Sequence, residues 1–223
     1  MRTKYKQWAV DYVDEHPEIA LPKFDIKDKF FQEKPVIFEI GSGKGDFIAA
    51  ISLAHPEYNY LAIEKVKTVA GMMCKKLVEQ GNSNVKVFPW SAELIFDSVQ
   101  DGFVHSIYLN FSDPWPKKKH EKRRLTYITF LEQYYRILQN GGKLYIKTDN
   151  DSLYQYTKEE IQLTKFKVLS DEENYDFDSE TDYITEYENK FRSVGKSIHR
   201  IILEKWGKRY GTWNQIKRRR EDF

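Results

Sequence analysis

Asp113 stands in the stretch NFSDPWPKKKHEKRRL (110–125), where one carboxylate, two prolines and a tryptophan run straight into a basic block. Six Lys/Arg lie between Lys117 and Arg124, against Glu121 alone. A prolyl turn restricts the backbone and can hold a carboxylate in one geometry. Lys and Arg at this density neutralise phosphates, while the bland alternative is a solvated helix start. Trp115 is open between stacking on a base and bracing the loop.

A second group of residues suggests a cofactor loop: EIGSGKGD, 39–46. A phosphate-cradling P-loop requires glycine, four residues, then Gly-Lys-Ser/Thr; here position 38 is Phe and Lys44 is followed by Gly45. A dinucleotide fingerprint requires a closing Gly or Ala, and Asp46 occupies that place. The pattern that remains is E-x-G-x-G-x-G, from Glu39, Gly41, Gly43 and Gly45. It resembles the loop of S-adenosyl-L-methionine-dependent methyltransferases. That cofactor carries a sulfonium and an ammonium but no phosphate, so nearby acids are tolerated. Glycines let the backbone approach it closely, and Glu64 can accept from both ribose hydroxyls. A tight strand-to-helix turn without a ligand is the competing reading.

These residues need a scaffold, and the intervening sequence predicts one. VIFEI (36–40), YLAIE (60–64), VKVF (85–88), VHSIYLNF (104–111) and KLYIKT (143–148) read as strands. DFIAAISLA (46–54) and TVAGMMCKKLVEQG (68–81) have helical spacing, as does TYITFLEQYYRILQNGG (126–142), taken to end at Gly141 and Gly142. Strands alternating with helices predict an α/β fold, a mainly parallel sheet with helices on both faces. Ligands bind beyond the C-terminal ends of such strands. Glu39, Glu64, Ser91, Asp113 and Asp149 all fall there. Residues 1–34 read as a lead-in with a short helix near Tyr5–Glu15, 35–205 as the catalytic domain, and 206–223 as a basic extension.

The formal net charge is only +2, yet the charges are segregated. Nine acids and no Lys or Arg lie between Asp171 and Glu188, and Lys205–Arg220 is basic again. Separate fields of this kind speak of partners more than the total does. Cys74 is the only cysteine, which excludes an intrachain disulfide and a cysteine metal cluster; no metal is expected. No window approaches eighteen apolar residues, so no membrane is expected, and a cytoplasmic protein is the natural expectation.

FEIGSGKGDF, YLAIE, YLNFSDPWPKKKHEKRRLT, IKTDN and ITEYENKF together resemble the bacterial tRNA (guanine-N7)-methyltransferases. SDPWP itself is similar to the N/D-P-P-Y/F loop of methyltransferases that act on exocyclic amines. The resemblance implies a Rossmann-like class I methyltransferase fold, S-adenosyl-L-methionine as cofactor, and methylation of a guanine in the variable loop of tRNA. It implies cofactor contacts from Glu39, Gly41, Gly43, Gly45, Glu64, Ser91 and Asp113, with Asp113 catalytic. Substrate contacts fall to Lys117, Asp149, Thr185, Glu186, Tyr187 and Glu188, and RNA contacts to Lys119, His120, Lys122, Arg123 and Arg124. Monomer and homodimer both remain open. Two features depart from the family: Ser91-Ala92 replaces its usual acid or amide before alanine, and the tail from Trp206 extends past its usual end. A methyltransferase for an exocyclic amine and a non-catalytic RNA-binding module are the competing functions.

Overall fold

A computed structural model describes residues 4–177 and 183–206. The central element is a seven-stranded sheet: β1 (Val36–Ile40), β2 (Asn59–Ile63), β3 (Val85–Phe88), β4 (Val104–Asn110), β5 (Leu138–Thr148), β6 (Lys167–Glu172) and β7 (His199–Glu204). Its order is β3-β2-β1-β4-β5-β7-β6. The first five strands pair in parallel, and β7 runs antiparallel between β5 and β6. Every residue of β1 and β2 is buried, as a strand covered on both faces requires.

Two apolar layers flank the sheet. One is built with α1 (Gln7–Glu15), α3 (Asp46–Ala54) and α4 (Lys67–Gln80), through Val13, Phe47, Ile48, Met73 and Leu77. The other holds α2 (Lys29–Glu33), α5 (Glu93–Phe96), α6 (Ile128–Ile137) and α7 (Asp151–Ile161), through Phe31, Phe96, Leu131, Tyr134 and Tyr154. A final helix, α8 (Glu186–Ser193), precedes β7. Side chains start three of these helices: Asp28 accepts from Phe30 N, Asn150 from Leu153 N and Thr185 from Glu188 N. Among the described residues no helix is long and apolar enough to cross a membrane.

The lead-in is bound to the sheet and helices. Ala20 bridges Val87, and α1 approaches α4 so closely that a Cβ at Gly71 would fall 1.7 Å from the Ala9 carbonyl oxygen. The helix expected across 126–142 ends earlier, at Ile137, and β5 begins at Leu138. Leu138 is fully buried and pairs with Val104, so the sheet claims it, while Lys205 Nζ takes up the carbonyls of Arg136 and Leu138. Gly141 and Gly142 thus sit inside an irregular strand start instead of capping a helix. The basic tail beyond Trp206 lies outside the described residues.

Candidate active site

The chain reverses direction across the sheet between β1 and β4, the place where α/β sheets open a crevice. A cavity of about 1100 Å³ lies there, with Gly41, Gly43, Glu64, Ser91, Asp113 and Trp115 on its wall. The glycine loop is tied to the end of β2, since the amides of Gly41 and Ser42 both donate to Ile63 O. Gly45 N-caps α3 at φ +78°, and a Cβ there would meet Met73 Cγ at 2.5 Å. That position therefore requires glycine twice over, for conformation and for space.

Glu64 follows β2 and folds its carboxylate back over the loop. It accepts from Gly43 N at 3.1 Å and from Val66 N at 2.8 Å. Burial pushes its pKa up against those two bonds. A carboxylate has about four acceptor sites, so two backbone donors leave capacity for hydroxyls from the cavity. Glu39 lies beneath the wall, 2% exposed, with Oε1 accepting from Asn110 Nδ2 at 3.0 Å. Its Oε2 has no partner among the described residues, and burial raises the carboxyl to about 7. Ser91 is turned toward the Glu93 carboxylate. Backbone approach at the glycines, an orphaned acid oxygen and a second acid with spare lone pairs match a ligand that offers hydroxyls and positive charge. The residues present thus fit S-adenosyl-L-methionine.

Asp113 is exposed on the rim of the cavity. Its charge adds a minor upward push to the pKa of both Glu64 and Tyr187, behind the larger effect of burial. Tyr187 Oη reaches Asp149 Oδ1 at 3.4 Å, and its ring lies 5.0 Å from that of Phe111, which lines the cavity. Burial, then the Asp149 charge, pushes the Tyr187 phenol up to about 12. Asp149 also pairs with Lys196. The segment Thr185–Glu188 is thereby brought to the same face as Asp113 and Asp149, with its members differently used. The Thr185 hydroxyl caps α8, accepting from Glu188 N at 2.9 Å. Glu188 is fully buried and bridges Lys147 Nζ at 2.9 Å and Arg192 Nη2 at 2.8 Å. The side chain of Glu186 is outside the description.

The basic block divides as well. Lys117 leads into a 3-10 helix, Lys118–Arg123. Lys117, Lys118, Lys119 and Lys122 are exposed and form no ion pair among the described residues. Arg123, Lys65 and His120 instead gather round the Trp115 ring, at 5.0, 5.6 and 5.7 Å. Trp115 is half-buried on the cavity wall, and Arg124 folds back beneath its loop. The sequence singled out neither Lys147, Lys196, Lys65 nor Asn110. Each is a lone polar residue in or beside an ordinary strand pattern, and only the alternation of Lys147 among apolar neighbours hinted at burial.

Residues 33–201 match the family model Methyltransf_4, described as "Putative methyltransferase". The chain is 40% identical over 212 residues to the tRNA (guanine-N(7)-)-methyltransferase of Staphylococcus saprophyticus, covering 90% of this chain and 98% of that one. It is 37% identical over 211 residues to the enzyme of the same name from Limosilactobacillus reuteri, covering 91% and 98%. Among solved structures, an antibiotic-related methyltransferase matches with a TM-score of 0.59 at 16% identity, over 92% of this chain and 96% of that one. An rRNA methylase from Streptococcus thermophilus matches at 0.55 and 14%, over 93% and 99%. The two structures share the fold; the sequence relatives carry the kinship further. With its glycine loop, its buried acids and its aspartate at the cavity rim, this chain belongs to the tRNA (guanine-N7)-methyltransferase family of class I, S-adenosyl-L-methionine-dependent methyltransferases.

Proposed function

We propose that this protein methylates N7 of a guanine in the variable loop of cytoplasmic tRNA, and that Asp113 is the carboxylate at the reacting base. The observation that carries the reading is a juxtaposition. Asp113 stands exposed on the rim of the cavity that holds the glycine loop and Glu64, and the unpaired lysines begin four residues further on.

Guanine N7 has an in-plane lone pair and no proton, so the attack needs no general base. When bound, S-adenosyl-L-methionine supplies an electrophilic methyl: its S–C bond breaks as the N7–C bond forms, and positive charge passes from sulfur to the guanine ring. The work left to the protein is alignment and electrostatics. Gly41, Gly43, Gly45, Glu39, Glu64 and Ser91 are assigned to the cofactor, Glu64 through the ribose hydroxyls. Asp113 and Asp149 accept from N1–H and the exocyclic amine and favour the ring's developing charge, which selects guanine over adenine. Tyr187 closes the pocket, and Thr185 and Glu188 hold the turn that presents it. Lys117, Lys119, His120 and Lys122 meet the surrounding phosphates.

The test is direct. Unmodified tRNA is incubated with labelled cofactor and digested to nucleosides, and N7-methylguanosine is expected as the labelled product. Asp113→Ala is expected to lower kcat by about 100-fold or more, with tRNA affinity within twofold of wild type. Labelled N6-methyladenosine, or near-normal turnover by the variant, refutes the reading.

A further inference from the structure

Two non-glycine residues among those described have positive φ, Phe111 at +53° and Trp115 at +39°. They bracket Ser112, Asp113 and Pro114. Side-chain-bearing residues enter this region at a cost, and they persist there only where the surroundings over-determine the backbone. The loop that carries Asp113 is therefore held in a conformation it would not adopt alone, and something must hold each end.

At the first end the sheet does so: Phe111 N donates to Lys147 O at 2.8 Å, continuing the pairing of β4 with β5. At the second end the holding group is a side chain. Arg124 Nε donates to Pro114 O at 3.0 Å, and its Nη2 donates to Trp115 O at 3.1 Å. The far side of the guanidinium is occupied too, lying 4.0 Å from the Tyr156 ring of α7. The planar fork presents Nε and Nη2 to the two consecutive carbonyls in one rigid geometry, whereas an ammonium on a flexible stem has no fixed orientation between its donors. Asp113 and the lysines beyond it are left exposed, whereas Arg124 is half-buried.

We propose that Arg124 is a positioning residue for methyl transfer. Its guanidinium locks the Pro114–Trp115 turn onto α7, and so keeps the Asp113 carboxylate on the cavity rim, in place of the phosphate contact its basic neighbourhood suggests. This deepens the reading of Asp113 given above and rests on it. The basic block then has two functions: its lysines hold RNA from outside, and its last arginine shapes the loop from within.

The experiment compares Arg124→Lys with Lys122→Gln, using the full chain and unmodified tRNA. Arg124→Lys keeps the charge and loses the fork. It is expected to lower kcat at saturating tRNA by tenfold or more, with tRNA Kd within twofold and the slope of log Kd against log salt unchanged. Lys122→Gln is expected to weaken tRNA binding and reduce that slope, the signature of a lost phosphate contact that Arg124→Lys should not show. Binding of S-adenosylhomocysteine shows that each variant is folded. Should Arg124→Lys lose its fold, Tyr156→Leu removes only the ring beneath the guanidinium, and the same loss of kcat at unchanged Kd is expected. The proposal is overturned if the folded variant keeps kcat within twofold, or if it loses tRNA affinity with a shallower salt slope. Asp113→Ala measured alongside separates the two readings: near-normal turnover there removes the role of Asp113, whereas an inactive Asp113→Ala beside a fully active Arg124→Lys removes the clamp alone.

Discussion

Glu39→Gln should make the protein more stable while making it a worse enzyme. The Glu39 side chain is buried between β1 and β4 with one oxygen unpartnered. Burial lifts its pKa from an ordinary 4.5 to about 7, against the opposing influence of the Asn110 amide and the Lys147 charge. The unfolded chain ionises near 4.5, so between that pH and 7 it sheds a proton the folded protein keeps. Stability is therefore greatest below the lower value, falls as pH rises toward 7, and levels off above it. The displacement corresponds to about 3 kcal/mol, at roughly 1.4 kcal/mol for each pH unit. Glutamine is isosteric with the protonated acid and keeps the carbonyl that accepts from Asn110, but it has no charge to desolvate. Denaturant unfolding of wild type and variant, without cofactor, should give nearly equal stabilities near pH 4, a gap that opens from there upward, and a variant more stable by up to about 3 kcal/mol at pH 8.5. Affinity for S-adenosyl-L-methionine should fall in the same variant on the cofactor role proposed for Glu39, because glutamine carries no charge to balance the cofactor's cation. A stability difference that stays constant from pH 5 to 8.5 would refute the reasoning, since the effect must follow ionisation.

Glu188→Gln removes the buried charge that bridges Lys147 and Arg192; with the Lys147 and Glu188 side chains 3% and 0% exposed, the loss should be about 3 kcal/mol by denaturant unfolding. A loss below 1 kcal/mol would mean that the pair is solvated when the protein is free. Replacing Lys117, Lys118, Lys119 and Lys122 by Gln together should flatten the salt dependence of tRNA binding by roughly three counterions. It should leave the product nucleoside unchanged, and an unaltered slope would show that the block is merely solvated.

Most of the fold was legible because the strands that build it are short apolar runs closed by glycine or polar turns. VKVF became β3 at the expected residues, and Gly81 stops α4 in the left-handed conformation. The expected helix across 126–142 was too long because Leu138 serves helix and strand periodicity equally well, and only its pairing with Val104 decides between them. α2 passed unnoticed because five residues are too few for a period to show. In the site, glycines and acids at strand ends could be read because backbone geometry restricts which residues may stand there. The internal partners could not. Nothing local distinguishes Arg124, which grips two carbonyls, from Arg123, which lies against Trp115. Nor does TEYE reveal that Glu188 points into the protein while Tyr187 points toward Asp149. Those choices are made by contacts many residues away in sequence.

The buried polar residues follow from the same geometry. Glu39, Asn110 and Lys147 lie near the C-terminal ends of three neighbouring strands, with Asn110 opposite Lys147 in register, and Glu188 joins from α8. One step deeper, Tyr108 and Tyr145 stack in register, 4.5 Å apart and nearly parallel. Glu39, Asn110, Lys147 and Glu188 are themselves buried, so their charges and dipoles interact strongly. Lys147 faces both ways in this layer: it pairs with Glu188, and its charge counters the rise in the Glu39 pKa. Its backbone carbonyl also receives the Phe111 amide at the start of the Asp113 loop. A single strand residue therefore acts on the Glu39 charge, bonds the helix that carries Tyr187, and bonds the start of the loop that carries Asp113. On the assignment proposed for Glu39, Asp113 and Tyr187, that shared footing means that the groups that must align are braced on the ends of β1, β4 and β5, which leaves little to be organised at the moment of transfer.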